Sequence, residues 1–489
     1  MEAKKAIIIG AGVAGLATAI RLAVDGFEVE VFEKNIEPGG KLTAFENSGF
    51  MFDAGPSLFT SPVFLHDLFE YANEPINQYF LYEKLPLACK YFYEDETVVN
   101  AFTNADLFAK ELNEKLGENE DAVKKYLQSS KKLYEQTGSF FLNYSLHQLK
   151  NYFTKNFLKA FTGFSFSHFT KNLNQYNQLH FSNKKTVQIF NRFATYNGSS
   201  PYKAPAMLSL IPHLEHNDGV YYPKGGMISI TNALYQLALK KGVQFHFNAK
   251  ADSIIASNKT VKGIVVNGEN HYAATVVSNG DAYFTYKNLL KNETVANKIL
   301  KQERSSSAFI FYWGMNRTFD ELELHNIFFS EDYKAEFNAI FNTKNCFADP
   351  TIYINITAKC EPETQAPKGK ENWFVMINVP ANASINWDDA KALCRQNIIN
   401  KLNKILQTNL EDCIETENIL HPSLIESTTS SYLGSLYGTS SNSRLAAFLR
   451  HSNFSSSIKG LYFVGGSVHP GGGIPLCLQS AKIAADIIK

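Results

Sequence analysis

The stretch "KKAIIIGAGVAGLATAIRLAVDGFEVEVFEK", residues 4–34, decides the fold of this chain. A short apolar run over residues 6–9 predicts a buried strand, and the glycine-rich turn after it predicts a helix that ends near Gly26. Alternating apolar residues over 28–32 predict a second strand. This strand–helix–strand order is the βαβ unit from which parallel sheets are built.

Three glycines and one acid point to a function for this unit. Gly10, Gly12 and Gly15 form the pattern GxGxxG: the first allows a tight turn, the second lets a pyrophosphate reach the backbone, and the third lets helix and strand pack closely. The positive end of the helix dipole faces the phosphates. Glu33 follows the second strand and is placed to bind ribose hydroxyls, which disfavours NADP but does not separate NAD from FAD.

The next stretch, "PGGKLTAFENSGFMFDAGPS" (residues 38–57), separates these two cofactors. Its glycine pair and lysine, with Gly55 and Pro56 further on, resemble the FAD-binding signature of the amine-oxidase and phytoene-desaturase superfamily. In that superfamily the second glycine pair and a basic residue lie against the flavin and its diphosphate, so the resemblance implies FAD. The family more often has Arg here; Lys41 supplies the charge but not the planar fork of a guanidinium.

The resemblance continues in order to the end of the chain. "GVYYPKGGMISITNAL" (219–234) is a glycine turn before a helix. "VKGIVVNGENHYAATVVSNGD" (261–281) is a predicted β-meander with a hairpin turn at Asn267-Gly268, and its end is similar to the "VVSNAD" of carotenoid desaturases. The stretch "GLYFVGGSVHPGGGIPLCLQSAK" (460–482) resembles the final flavin-binding segment of the bacterial enzymes.

The chain is therefore identified as a member of the bacterial carotenoid (phytoene) desaturase family of FAD-dependent oxidoreductases. Within that family, "FDAGPSLFTSP" and "SVHPGGGIP" are most similar to the 1-hydroxycarotenoid 3,4-desaturase branch.

The glycines of the last segment have a physical reason. The predicted strand "LYFVGG" delivers the backbone to the flavin ring, and Gly472 and Gly473 leave no side chain between the amides and the ring. A predicted helix begins at Ile474, and its positive end faces the ring edge that becomes anionic on reduction. His469 either contacts flavin or substrate or is a structural histidine.

Together these motifs predict a set of cofactor-binding residues from three separated parts of the chain: Gly10, Gly12, Ala14, Gly15, Glu33, Lys34, Gly39, Gly40, Lys41, Gly55, Pro56, Ser57, Gly465, Gly466, Gly472, Gly473 and Ile474. No metal site is predicted, because the six cysteines include no CxxC pair and His213 and His216 are not on the i, i+4 spacing of a helical metal site. No pair of side chains stands out as acid and base, so no catalytic residue is assigned.

The predicted fold class is α/β. It combines a Rossmann-like FAD-binding domain (parallel sheet plus β-meander), a mixed-sheet substrate domain that forms a floor against the flavin, and a helical membrane-associating insertion. The predicted boundaries are 1–70, 217–290 and 450–489 for the FAD-binding domain, 71–135 and 291–449 for the substrate domain, and 136–216 for the insertion.

The insertion has an unusual composition. Residues 136–214 contain no Asp or Glu but eight Lys or Arg, and fifteen Phe or Tyr lie between Phe140 and Tyr196. Basic residues interleaved with Phe suit helices that lie in a membrane interface, and no run is long and apolar enough to span a bilayer. A protein partner is the alternative. Nucleic acid is not a predicted partner, because the net charge of the chain is zero.

The resemblance implies an FAD-dependent carotenoid desaturase, which removes a hydride and a proton from a saturated C–C bond beside a polyene. The expected partners are a carotenoid, the lipid surface on the cytoplasmic side of a membrane, where the protein binds peripherally, and a terminal electron acceptor such as quinone or oxygen. Three alternatives stay open: phytoene desaturase, carotenoid isomerase, and a non-enzymatic lipid-binding protein of the Rab GDP-dissociation-inhibitor type, which shares the fold.

Overall fold

The computed structural model describes residues 4–162, 164–382, 384–443 and 450–489. The strands of these residues are β1 (Lys5–Ile9), β2 (Glu28–Phe32), β3 (Ala44–Asn47), β4 (Phe50–Asp53), β5 (Phe59–Thr60), β6 (Tyr82–Lys84), β7 (Leu87–Phe92), β8 (Val98–Phe102), β9 (Val220–Pro223), β10 (Gln244–His246), β11 (Ala251–Ser257), β12 (Thr260–Val266), β13 (Glu269–Tyr272), β14 (Thr275–Ser278), β15 (Ser307–Met315), β16 (His325–Phe328), β17 (Ile352–Asn355), β18 (Glu371–Val379), β19 (Ile414–Leu420) and β20 (Leu461–Phe463).

The α-helices of the same residues are α1 (Val13–Val24), α2 (Val63–Tyr71), α3 (Ala105–Leu116), α4 (Glu120–Asn143), α5 (Lys155–Thr162), α6 (Phe166–Thr170), α7 (Leu173–His180), α8 (Lys184–Asn191), α9 (Ile228–Lys240), α10 (Ala282–Phe284), α11 (Glu293–Leu300), α12 (Tyr333–Asn338), α13 (Trp387–Leu406), α14 (Pro422–Thr429) and α15 (Ile474–Ile488).

A parallel sheet in the order β10-β2-β1-β14-β20 forms the first domain. Its central strand β1 is buried on both faces, as parallel strands require. Ile8 packs with α1, α9 and α15, whereas Ile7 packs with the antiparallel sheet β11-β12-β13 on the opposite face. The predicted βαβ unit and the predicted combination of a parallel sheet with a β-meander are confirmed.

One part of the meander prediction is wrong. The Asn267-Gly268 turn joins β12 to β13, but β14 leaves the meander and inserts into the parallel sheet between β1 and β20. Val277 lies opposite Ile8 of β1. Val276 and Val277 are both fully buried, which fits a central parallel strand that is covered on both faces.

The second sheet is mixed, in the order β19-β15-β18-β17-β16-β7-β8. Its longest pairing is antiparallel, between β15 and β18, with Trp313 opposite Trp373, while β16 and β7 run parallel. Helix α13 packs on one face of this sheet through residues such as Ile398 and Leu402. The predicted mixed sheet is therefore confirmed, and the other face is free to border the cavity described below.

Helices dominate the segment between β8 and β9. Helix α4 runs from Glu120 to Asn143 and so crosses residue 136, where the sequence predicts the insertion to begin. Smaller helices follow, and Phe190 and Phe193 of this region pack with residues of β7 and α12 in one core cluster. In the part of the chain that the structure describes, no helix combines the length and the apolar character needed to cross a membrane.

Candidate functional site

A cavity of about 1240 Å³ lies between the two sheets. It borders the carboxyl ends of the parallel strands beside Ile9 and Ser278, and it extends over Tyr312 and Met376 of the mixed sheet. Further walls come from the helical segment, through apolar side chains such as Leu214. Pockets for drug-sized ligands measure about 300–1,000 Å³, so this cavity has room for a cofactor and a substrate together.

All but one of the predicted cofactor-binding residues line this cavity. The exception is Gly15 inside α1, where a Cβ atom would lie only 2.1 Å from the carbonyl oxygen of Gly10. Gly15 therefore allows the close approach of helix and turn. The residues that line the cavity are Gly10, Gly12, Ala14, Glu33, Lys34, Gly39, Gly40, Lys41, Gly55, Pro56, Ser57, Gly465, Gly466, Gly472, Gly473 and Ile474.

Asn279, directly after β14, packs against the turn that follows β1. Its Oδ1 would be 2.7 Å from a Cβ at Gly12 and 2.9 Å from a Cβ at Gly15. Gly10 has φ +98°, a conformation that favours glycine. Glycine is thus required at Gly10 by its φ and at Gly15 by the backbone, whereas a Cβ at Gly12 would displace the amide of Asn279. The N–H groups of the turn lie at the N-terminus of α1, where a phosphate binds most readily.

The carboxylate of Glu33 faces the same turn. Its Oε2 accepts a hydrogen bond from the N–H of Ala11 at 2.7 Å, and its Oε1 accepts one from the N–H of Asn35 at 2.9 Å. Glu33 is 5% exposed and borders the cavity. An acid in this place, after the second strand of the βαβ unit, is the group that binds the ribose in dinucleotide-binding folds.

The second glycine pair packs on the first turn backbone to backbone. The N–H of Gly39 donates to the carbonyl of Ala11 at 2.9 Å. A Cβ at Gly40 would lie 3.3 Å from the Cα of Gly12. This part of the cavity wall therefore consists of peptide groups, which a large planar or charged ligand can approach closely.

Two lysines bring positive charge to the same region. Nζ of Lys41 donates to the carbonyls of Leu436 at 2.8 Å and Ser435 at 3.2 Å, and burial lowers the pKa of Lys41 to about 8. Nζ of Lys34 donates to the carbonyl of Ser427 at 2.8 Å, and burial lowers the pKa of Lys34 as well. Each lysine thus attaches the glycine segment to α14 or to the loop after it.

Two tyrosines of the mixed sheet fix the loop of residues 54–57. The hydroxyl of Tyr312 donates to the carbonyl of Ala54 at 2.9 Å, and the hydroxyls of Tyr353 and Ser57 share a hydrogen bond of 2.8 Å. A Cβ at Gly55 would lie 1.7 Å from the carbonyl oxygen of Lys41. Contacts from both domains therefore fix the conformation of this loop.

The C-terminal glycines have different surroundings. The sequence predicts that Gly472 and Gly473 both make room for a ring. A Cβ at Gly473, whose φ is +107°, would meet nothing within 4 Å, but a Cβ at Gly472 would lie 2.6 Å from a ring carbon of Tyr437. Tyr437 thus already fills the space that a side chain at Gly472 would enter, and the role of Gly472 beside a ring stays a prediction. Helix α15 begins at Ile474, as predicted, with its N-terminus at the cavity.

His469, for which the sequence leaves two interpretations, has a protein partner. Its Nε2 donates to the carbonyl of Tyr144 in α4's C-terminal cap at 2.9 Å, and burial lowers its pKa to about 4. The ring borders the cavity as a neutral group. This contact joins the C-terminal glycine segment to the helical segment, which favours the structural interpretation.

Sequence reasoning missed two buried arginines near the C-terminal glycines. Nη1 of Arg450 donates to the carbonyls of Tyr437 at 2.7 Å and Gly466 at 3.3 Å, and burial lowers the pKa of Arg450 to about 10. Arg304 forms an ion pair with Asp281. Neither arginine belongs to a recognisable sequence motif, so the sequence did not indicate its role. Asp281 and Asn279 belong to the motif "VVSNGD" and could have been found from it.

A parallel sheet with a glycine turn after its first strand, an acid after the second strand and a second glycine pair on the turn together define a dinucleotide-binding protein. Residues 13–489 match the flavin-containing amine oxidoreductases, and the chain belongs to that family. It is an FAD-dependent oxidoreductase.

Three known proteins show how far the similarity extends. A 1-hydroxycarotenoid 3,4-desaturase from a Flavobacterium species is 51% identical over 488 residues, which cover 99% of each chain. A 4,4'-diaponeurosporene oxygenase from Staphylococcus haemolyticus is 31% identical and covers 100% of this chain and 97% of its own. The crystal structure of an oxidoreductase from Methanosarcina mazei shares the fold, with a TM-score of 0.66, 15% identity and 98% of each chain covered.

We expect Gly472→Ala to destabilise the FAD-loaded protein, because the new methyl group collides with the ring of Tyr437. In a Tyr437→Ala background the nearest ring atom is gone, so the same substitution should cost less, with a coupling of about 0.5–3 kcal/mol. Denaturant unfolding of the four proteins measures this coupling. Gly473→Ala is the matched control: it strains the backbone but should not couple to Tyr437. Strict additivity of the Gly472 and Tyr437 changes would contradict the contact.

Proposed function

We propose that this protein is a carotenoid desaturase that uses FAD to introduce a C=C bond, and that its reaction is the 3,4-desaturation of a 1-hydroxycarotenoid. The observation that carries the proposal is the continuity of the cavity, which runs from the glycine segments to the apolar walls of the helical segment. A long apolar substrate can thus lie beside a flavin. The similarity to the Flavobacterium desaturase over nearly the whole chain supports this substrate class.

The glycine segments hold FAD in this proposal. Glu33 would bind the ribose, the turn at Gly12 and the N-terminus of α1 would bind the pyrophosphate, and the open backbone at Gly473 would leave room for the ring. The N-terminus of α15 places its positive dipole end at the cavity, which stabilises an anion there. When bound there, FAD would supply a two-electron acceptor for the hydride of the substrate.

For the remaining chemistry the protein needs only to position the substrate. A proton leaves the carbon next to the one that loses the hydride, and an adjacent polyene delocalises the developing charge. Two acids at the cavity, Glu215 and Asp281, are held in ion pairs with Arg192 and Arg304. We therefore assign no catalytic base: the side chains orient the substrate and exclude water, and a quinone or oxygen reoxidises the enzyme.

The helical segment is the membrane-docking surface in this proposal. Leu149, Phe153, Leu158 and Phe166 are 80%, 90%, 66% and 83% exposed, respectively. Basic residues lie between them in the acid-free stretch 136–214. Leu146, three residues before Leu149, lines the cavity. The exposed apolar side chains thus stand next to a wall of the cavity, which suits the entry of an insoluble carotenoid from the cytoplasmic side of a membrane.

Loss of the Glu33 carboxylate should weaken the binding of the cofactor. Glu33→Ala should weaken FAD binding by about 1.5–3 kcal/mol, because a charged hydrogen bond to the ribose is lost. Glu33→Gln, which keeps the shape and loses the charge, should give an intermediate affinity. Glu28→Ala changes an exposed acid at the start of β2, the strand that Glu33 follows, and serves as the control. Titration of apoprotein with FAD measures the affinities, and an unchanged Kd for Glu33→Ala would refute this role.

The FAD-loaded protein, supplied with a quinone or oxygen, should convert a 1-hydroxylated carotenoid into a product that lacks two hydrogens and absorbs at longer wavelength. Liquid chromatography with mass detection identifies the product. Preference for phytoene would indicate a phytoene desaturase, an unchanged mass an isomerase, and a gain of oxygen an oxygenase. Binding of carotenoid without any turnover would favour a lipid carrier.

Each lysine near an anionic membrane surface contributes about 1 kcal/mol, and each fully withdrawn Phe side chain about 1.5–3 kcal/mol. Reversing Lys155, Lys159 and Lys171 to Glu should therefore weaken binding to anionic liposomes, and added salt should weaken wild-type binding only in part.

Phe153→Ser combined with Phe166→Ser should weaken liposome binding at every salt concentration. Leu393→Ser, at a 57% exposed leucine on α13, is the matched control and should bind normally. Co-sedimentation decides the matter. Wild-type protein that stays in the supernatant at low salt with anionic lipid would show that this surface faces a protein partner.

A further inference from the structure

A buried histidine on the cavity wall has one ring nitrogen without a partner. His325, at the start of β16, is 3% exposed and lines the cavity. Its Nδ1 has two neighbours, the hydroxyl of Tyr353 at 2.8 Å and Nδ2 of Asn355 at 3.2 Å. Its Nε2 is buried and has no hydrogen-bond partner within the part of the chain that the structure describes.

The contacts of Nδ1 fix where the ring carries its proton. Nδ2 of Asn355 also donates to the carbonyl of Leu324 at 3.2 Å, which orients the amide with its N–H groups toward His325. An amide N–H can only donate, so Nδ1 accepts. Burial lowers the pKa of His325 to about 4, so the ring is neutral at physiological pH. The single ring proton therefore sits on Nε2.

The neighbouring charged groups on this wall do not accept a hydrogen bond from Nε2–H. Arg192 donates to both oxygens of Glu215, at 2.8 and 2.6 Å, and the hydroxyl of Tyr196 donates to Glu215 as well. The carboxylate is thus occupied by its own partners. A buried N–H donor without an acceptor is costly. Nε2 itself has no surface open to the cavity, so a ligand pairs with this donor by displacing a neighbouring side chain of the wall.

The histidine is also connected, through hydrogen bonds, to the loop of residues 54–57. Ser57, next to Gly55 and Pro56, shares a hydrogen bond with Tyr353, and Tyr353 contacts Nδ1 of His325. Two hydrogen bonds therefore separate the loop from the histidine ring. In a 1-hydroxycarotenoid, only one methylene lies between the carbon that bears the hydroxyl and the bond that 3,4-desaturation attacks. The hydroxyl group must accordingly lie close to the flavin.

We infer that His325 recognises the substrate's hydroxyl group: Nε2–H donates a hydrogen bond to the oxygen of a tertiary alcohol at the end of a polyene and so selects hydroxylated over non-hydroxylated substrates. This inference rests on the proposed desaturase function. An apolar chain end in the same place would leave Nε2–H unpaired, and a site built to pair with a hydroxyl discriminates strongly against the analogue that lacks it.

The test compares a 1-hydroxylated polyene with the same polyene lacking the hydroxyl group. Wild-type enzyme should favour the hydroxylated substrate in kcat/KM. His325→Leu should lose roughly 10- to 100-fold in kcat/KM for that substrate, while the value for the non-hydroxylated one stays constant or rises. His325→Gln retains a donor and should retain part of the preference. Flavin absorbance and thermal unfolding verify that each variant is folded and loaded with FAD.

The possible outcomes separate this inference from the function on which it rests. If the wild type converts both polyenes equally well, or if His325→Leu slows both by the same factor, the histidine does not recognise the hydroxyl group. If His325→Leu fails to load FAD, the wild-type preference and its reduction in His325→Gln decide the question. If the wild type converts neither polyene, the proposed desaturase function itself fails.

Discussion

The side chain of Asn279 is wedged between two glycine segments that are far apart in the sequence, and the geometry of the whole site depends on this contact. Its Oδ1 lies against Gly12 and Gly15, and its Nδ2 donates to the carbonyl of Val464 at 3.2 Å. The carboxyl ends of β1, β14 and β20 thereby meet at one point. No side chain fits at Gly465 either, where a Cβ would lie 2.7 Å from Nδ2.

The parts of the site that could be predicted are those that depend on residues close together in the sequence. The bounds of β2 and α15 follow from alternating apolar residues and from glycines that mark their ends. The order of the glycine motifs along the chain identifies the family. The surroundings of Gly472 could not be predicted, because Tyr437 approaches from a distant loop. The place of β14 was missed because a short strand with two central valines fits either sheet.

The cofactor segment and the substrate floor are mechanically one unit. Tyr312 and Tyr353 of the mixed sheet hold the loop 54–57, and this loop passes Lys41 so closely that a Cβ at Gly55 would collide with the Lys41 carbonyl oxygen. A shift of the mixed sheet would therefore move the loop against the first domain. Interiors are packed too densely to absorb such a shift locally, so the spacing between cofactor and substrate is set by the fold rather than by a flexible side chain.

The order of strands in the parallel sheet has a consequence for biosynthesis. β14 ends at Ser278, but the strand that covers its outer edge, β20, begins at Leu461. A ribosome that adds about 5–20 residues per second needs roughly 10–40 s to make the intervening chain. For that time the nascent protein carries an unpaired, apolar strand edge, which is a template for aggregation. A chaperone that covers this edge would prevent such aggregation, and the lining of the cavity is complete only once α15 has been made.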